Sequence, residues 1–321
     1  MFFDDSSSDE ENLLTPHRRG LRDSSNPLSL CENEFRQYFR LSREAFKYVL
    51  DVVPFSTSSR NTAIPTVLKL AATMNLLSSG SYQINVGGSF VLGMAQPTVS
   101  LVFNETITLL ENFLCEQWIV IEPTSFNTTK AYFFNKFKIP GVVGCIDGTH
   151  IPILKPTQDE HMFFNRKGFH SINAMIITDQ EYRIMAVNSR YGGAAHDSFV
   201  WSMSDERQFF QEGFHNGDSR LLGDSGYALA PWLLTPYRIA NEGSGEEIFN
   251  TIHSTARCSV ERGIGVLKAR WRCLSSDRKL RYSPQRVSSI INVCCALQNI
   301  CIAYKIQIGF PNYPSEEPIF V

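Results

Sequence analysis

Residues 141–151 read GVVGCIDGTHI, and the reading of this stretch decides the fold. Val142, Val143, Cys145 and Ile146 are side chains of a buried strand, and the strand runs straight into Asp147. An ionised carboxylate at the end of an apolar strand is costly unless a cation or a set of donors meets it. Gly148 just after it lets the backbone turn sharply or another group come close. One reading makes Asp147 a turn-capping residue, as Asp-Gly pairs often are; the other makes it a ligand. Further along, LLGDSGY repeats the same grammar, with Leu221 and Leu222 leading to Asp224 between Gly223 and Gly226. Two apolar strands that each end in an isolated acid point to an α/β fold with a site at the strand ends.

The chain has 321 residues, 43% of them hydrophobic and 19% charged, enough apolar side chain for a sizeable core. A formal net charge of -2 excludes a globally polycationic nucleic-acid binder and leaves only local basic patches to argue from. The eight cysteines form no CxxC pair and no Cys/His spacing of a zinc site, so a reduced intracellular compartment is expected. The opening MFFDDSSSDEEN turns acidic at its fourth residue, unlike a secretory signal. The most apolar late segment, SIINVCCALQNICIAY, is interrupted by Asn292, Gln298 and Asn299 and is expected to be a buried helix of a soluble protein, with no membrane partner.

Four regions follow from the patterning. Residues 1–33 form an acidic, Ser-rich tail expected to stay mobile. Residues 34–134 read as helical. Ser42 is a candidate N-cap for a helix with Phe46, Val49, Leu50 and Val53 on one face, and Gly80 closes a second helix. A turn at Gly93 then leads into a third helix with a Pro in its first turn. This is the layout of a helix-turn-helix. Its last helix offers Gln96, Thr98, Ser100 and Asn104 but no Lys or Arg, so packing or docking of a protein competes with base readout. Residues 135–305 alternate strands and helices: a first strand, a hairpin through SINAMIITD and YRIMAVNSRY, a helix over HDSFVWSMSDERQFF, the strand at LLGD, and helices over 249–275 and 284–305. Residues 306–321 form a C-terminal tail.

Glu261 is the third candidate acid. It lies beside the apolar stripe of Val260, Ile264, Leu267 and Trp271 on a face with Arg257, Gly265, Lys268 and Arg272. A surface ion pair is the plain reading of such a Glu. Asp197, after the Gly-Gly of YGGAAHDSFVW, is either a helix cap or a further ligand, and His196 beside it reads as a surface imidazole. Two strand-end Asp residues and a helix Glu can hold hard divalent cations through oxygen, and such cations promote phosphodiester cleavage. Sugar hydrolysis by an Asp/Glu pair would leave both the third acid and the cations unexplained.

The blocks GVVGCIDGTHI, NRKGFHSINAMIITD, YGGAAHDSFVW, LLGDSGYAL, HSTARCSVERGIGVLKARWRCL and YSPQRVSSIINVCCALQNIC occur in the order and approximate spacing of the PIF/Harbinger superfamily of DDE transposases. Over about residues 35–305 the chain most resembles the domesticated Harbinger transposase-derived nucleases of animals. The resemblance implies an RNase H-like mixed sheet flanked by helices and preceded by the all-α, helix-turn-helix-like region. It implies that Asp147, Asp224 and Glu261 form the DDE triad, and that Asp197 matches a further acid associated with divalent-metal binding. It further implies a Mg²⁺- or Mn²⁺-dependent nuclease of nucleus and cytoplasm, acting on DNA beside a Myb/SANT-like protein partner. The rival expectation is a catalytically silent, DNA-binding adaptor that works through such a partner; the cation-poor helix-turn-helix departs from self-sufficient DNA recognition.

Cations are concentrated late in the chain. Between Arg257 and Arg286 stand nine Lys or Arg against Glu261 and Asp277, a candidate phosphate track of modest, salt-dependent affinity. Arg257, Lys268 and Arg272 are its candidate DNA-contacting members. Arg166 and Lys167 form a second small cluster, either a solvated loop or a backbone-positioning contact.

Overall fold

The computed structural model describes residues 20, 22, 24–55, 63–88, 92–275 and 277–307. Most of the proposed N-terminal tail and nearly all of the C-terminal one lie outside these residues.

Helices α1 (Glu32–Phe39), α2 (Arg43–Val52), α3 (Thr66–Ser79), α4 (Gln83–Gly87) and α5 (Gln96–Leu110) build the first part. Ser42 caps α2 by accepting from the Ala45 amide, and Phe46, Val49 and Val53 are buried beneath it. Gly80 ends α3 at φ +62°, a conformation that suits glycine, with the Arg272 carbonyl 3.0 Å from where a Cβ would sit. The helical path of α5 continues through a π-turn at Glu111–Cys115 as far as Trp118. Helix α6 (Phe126–Phe137) then leads into the sheet.

Strands β1 (Val142–Pro152), β2 (Ser171–Thr178), β3 (Ile184–Gly192), β4 (Arg220–Leu222) and β5 (Leu233–Leu234) form one sheet in the order β3-β2-β1-β4-β5. The first three are antiparallel neighbours, whereas β4 runs parallel to β1 and β5 parallel to β4. This is the expected RNase H-like mixed sheet, with β5 as a short addition that two residues of sequence pattern could not announce. The single helix read over HDSFVWSMSDERQFF is two, α7 (Asp197–Ser202) and α8 (Asp205–Gly217). Ser204 breaks the run because its hydroxyl accepts from the Arg207 amide and starts a new helix. Helix α9 spans Gly245–Arg270 and α10 spans Pro284–Ala303.

The sheet separates two apolar layers. One holds Val142, Cys145 and Ile151 of β1 together with α9, α10 and the buried faces of α1–α3 and α5, so the helical first part and the sheet share a continuous core. The other holds Val143, Ile146, Val200, Trp201, Phe210 and Leu221 under α7 and α8. Val142 and Val143 serve opposite layers by ordinary strand alternation, and the register shift between Val142 and Gly144 lets Val142 and Cys145, three residues apart, face the same one. Helix α10 is long and apolar enough to cross a membrane, yet Val287, Ile290, Ile291 and residues 293–297 are fully buried at the centre of the fold, as read from sequence. All eight cysteines are free thiols.

Candidate active site

Strand register brings the two repeated motifs together. Cys145 of β1 is paired with Leu222 of the parallel β4, and Asp147 and Asp224 each lie two residues beyond that pair. Parallel pairing carries both strands in one direction, so the two acids stand side by side just past the last β1–β4 pair. Asp224 follows the end of β4, but Asp147 lies mid-strand and not at the strand end that its sequence pattern predicts, because β1 runs on beside β2 as far as Pro152. Asp224 is held by its own turn, its Oδ1 accepting from the Gly226 amide at 2.9 Å.

Helix α9 crosses the same face. The Ser259 hydroxyl donates to Cys145 Sγ at 3.4 Å, and Arg257, one position beyond buried Ala256, reaches the Asp147 carboxylate with Nη2 at 3.1 Å. The other guanidinium nitrogen stands 3.7 Å from Glu261. Arg257 therefore spans two of the three candidate acids. Its side chain is only 12% exposed, whereas that of Glu261 is 58% exposed.

Asp197 approaches from the α7 side. It is the first residue of α7 and not its N-cap, a position held by His196. Its Oδ1 instead accepts from Asn173 Nδ2 at 2.7 Å, and a Cβ at residue 148 would lie 2.2 Å from that same oxygen. Gly148 is thus required by the carboxylate packed on it, which answers why glycine follows Asp147.

Burial pushes the Asp147 carboxyl up to about 6; Arg257 and the Gly148 amide oppose this, and the nearby Asp224 and Asp197 charges add to it. The Tyr227 phenol is raised by burial and by the same three aspartates, and its buried hydroxyl has no hydrogen-bond partner among the described residues. Asp147, Asp197 and Asp224 are thus within electrostatic reach of one another, with Glu261 linked to them through Arg257. Among the described residues no three acidic, His or Cys groups already stand close enough to enclose an ion. The donor chemistry nevertheless suits a hard cation such as Mg²⁺ or Mn²⁺: all-oxygen ligands and an excess of negative charge, with the Asp197 carboxylate packed where a Cβ at Gly148 would stand.

The cations of the late segment do not form one track. Arg257 is engaged by acids, Arg270 is buried and donates to the Ile306 carbonyl, and Arg272, outside α9 in a 3₁₀ turn, stands 3.8 Å from Asp277. Lys268 donates to the His150 carbonyl at 3.1 Å, and burial followed by the Lys167 charge lowers its ammonium to about 8. Arg166 and Lys167 are exposed and act on His150, placing them three residues along β1 from Asp147. The ion pair read for Glu261 is present with Arg257, whereas Asn173, Tyr227 and the pairing of Arg257 with Asp147 escaped sequence reasoning. Asn173 sits inside an apolar strand, 1% exposed, and its polarity there was the available signal.

Residues 146–299 match the family model described as DDE superfamily endonuclease. The chain is 32% identical over 273 residues to the Homo sapiens protein named "Putative nuclease HARBI1", covering 83% of this chain and 76% of that protein. The Bos taurus protein of the same name is 31% identical over 271 residues, with the same coverage of 83% and 76%. The chain belongs to the Harbinger transposase-derived nuclease family. An Arabidopsis thaliana relative, "Protein ALP1-like", is 28% identical over 304 residues, 85% of this chain and 71% of its own. No solved structure matches the chain. The family match begins at Ile146 and therefore takes in Asp147, Asp197, Asp224 and Glu261.

Proposed function

We propose that this chain is a divalent-metal-dependent endonuclease that hydrolyses phosphodiester bonds in DNA. The observation that carries the reading is the meeting of Asp147 and Asp224 just past the last β1–β4 pair, with Asp197 closing over Gly148 and Glu261 joined through Arg257. Asp147 and Asp224 would hold the metal from the sheet, Glu261 from α9 and Asp197 from α7. A bound Mg²⁺ or Mn²⁺ supplies activation of a water and stabilisation of the leaving oxygen.

The chain's own residues prepare that site. Arg257 neutralises Asp147 and Glu261 and holds them within one guanidinium's span. Asn173 orients Asp197 by donating to one oxygen and is itself anchored on the Ala195 carbonyl. Exposed Arg166, Lys167 and Arg272 suit contact with phosphates, which position DNA without reading sequence. Lys268 belongs with them through its place beside His150. On this reading Arg257 serves the acids before it serves DNA. The protein acts in nucleus and cytoplasm with a Myb/SANT-like partner, which co-purification from cells would reveal.

One observation favours the adaptor reading: Arg257 already neutralises two acids without metal. A Mn²⁺ titration followed by electron paramagnetic resonance, run beside a nicking assay on duplex DNA, decides between the two. The enzyme reading expects saturable Mn²⁺ binding and nicking, both lost in Asp224→Asn and Asp147→Ala. Absence of binding at millimolar metal establishes the adaptor.

A further inference from the structure

The helix-turn-helix lacks cations in sequence, and the fold supplies them from elsewhere. Residues 278–286 contain Arg278, Lys279, Arg281 and Arg286 with no acid. They run alongside α4 and α5, and together the two segments enclose a groove of about 410 Å³. Its polar lining includes Tyr82, Gln83, Gln96 and Asn104 on one side and Arg278, Lys279 and Arg281 on the other, and among the described residues no Asp or Glu lines it.

The two sides are joined by specific contacts. Arg278 stacks over the Tyr82 ring at 3.4 Å and donates to the Gly80 carbonyl at 2.8 Å. Gln96 donates to Gln83, which donates to the Tyr282 hydroxyl, while Phe103 of α5 stacks on the Tyr282 ring. Arg286 donates to Thr108 of α5. Nearby acids are already engaged: Glu105 by Lys69 at 2.9 Å and Glu111 by Asn292 at 3.0 Å. Lys279 and Arg281 are exposed on the rim.

The same basic segment is stitched to the strand that carries the candidate site. Leu280 donates to the Pro152 carbonyl and accepts from the Leu154 amide, forming a parallel bridge with Ile153. Ile153 is six residues from Asp147, a path of roughly 20 Å along an extended chain. Arg166, Lys167 and Lys268, gathered near His150, lie between the two points along the strand.

We propose that this composite groove binds the backbone of duplex DNA beyond the Pro152 end of β1, with Lys279 and Arg281 on phosphates; the amides of Gln96 and Asn104 are engaged by Gln83 and the Ser100 carbonyl and hold the groove's wall. The inference rests on the nuclease reading for its substrate. Charge complementarity and the distance along β1 favour a DNA backbone over an acidic protein segment, which would have no reason to lie in line with Asp147.

The test uses the full chain and a 30-base-pair duplex in metal-free buffer, with fluorescence anisotropy measured across salt concentrations. Two phosphate contacts correspond to a salt slope of about 1.8 and to roughly 60-fold in affinity at 0.1 M salt. Lys279→Gln with Arg281→Gln, two exposed changes, is expected to weaken binding by about that factor and flatten the slope by about that amount. Mn²⁺ binding should stay at the wild-type level, because neither residue belongs to the acid cluster. Unchanged affinity and slope in the double variant overturn the groove. So does an unchanged affinity for DNA accompanied by lost binding of a polyglutamate peptide, which would assign the groove to an acidic protein. Loss of Mn²⁺ binding in wild type would strike the nuclease reading instead, so the two failures remain distinct.

Discussion

Replacing Asp147 by Asn should make the metal-free protein more stable at pH 8 than the wild type. The Asp147 carboxyl is raised from 3.8 to about 6 by burial and neighbouring carboxylates, even with Arg257 opposing the change. At about 1.4 kcal/mol per tenfold shift, ionising Asp147 in the folded protein costs roughly 3 kcal/mol relative to the unfolded chain. Because the folded state holds its proton more tightly, wild-type stability declines as pH rises from about 4 to about 6 and levels off above that. Asn copies the neutral form and escapes the decline. The attraction of Arg257 is already included in the net shift, so its loss does not reverse the sign. Urea unfolding of both proteins at half-unit steps from pH 4 to 8, in the presence of a chelator, measures the difference. The expected curves coincide near pH 4 and separate by up to about 3 kcal/mol by pH 8. An Asn variant equal to or weaker than wild type at pH 8, or an advantage that ignores pH, would refute the description of Asp147 as a carboxylate strained by its neighbours.

Arg257→Gln should act in the opposite direction. Removing the cation 3.1 Å from Asp147 leaves a half-buried acid uncompensated, with an expected loss on the order of 3 kcal/mol at pH 7.5 that shrinks toward pH 4 as Asp147 takes up a proton. Thermal unfolding at the two pH values checks this. Gly148→Ala places a methyl group 2.2 Å from Asp197 Oδ1, so Asp197 must move, and Mn²⁺ affinity should fall at least tenfold by titration while far-ultraviolet circular dichroism stays native. Ser42→Ala removes the cap that accepts from the Ala45 amide and should cost about 1 kcal/mol in urea unfolding, with no change in Mn²⁺ binding.

Much of this protein follows from local pattern. The apolar run before Asp147, its repeat before Asp224, the Ser42 cap, the Gly80 stop and the stripe of Val260, Ile264, Leu267 and Trp271 each obey short-range steric or hydrophobic rules, so element type and one edge of the candidate site were legible. The break at Ser204 was not, because a capping hydroxyl resembles any other Ser until the following amide turns toward it. Nor could sequence assign Arg257 to Asp147, 110 positions away, or set residues 278–286 against α4 and α5. Those pairings depend on the Cys145–Leu222 register, on the crossing of α9 beneath β1 and on the Leu280 bridge to the strand's end. Local chemistry dictated which residues carry charge and which enter the core, whereas which charges meet is a property of long-range packing and exists only once the chain has closed around its two apolar layers.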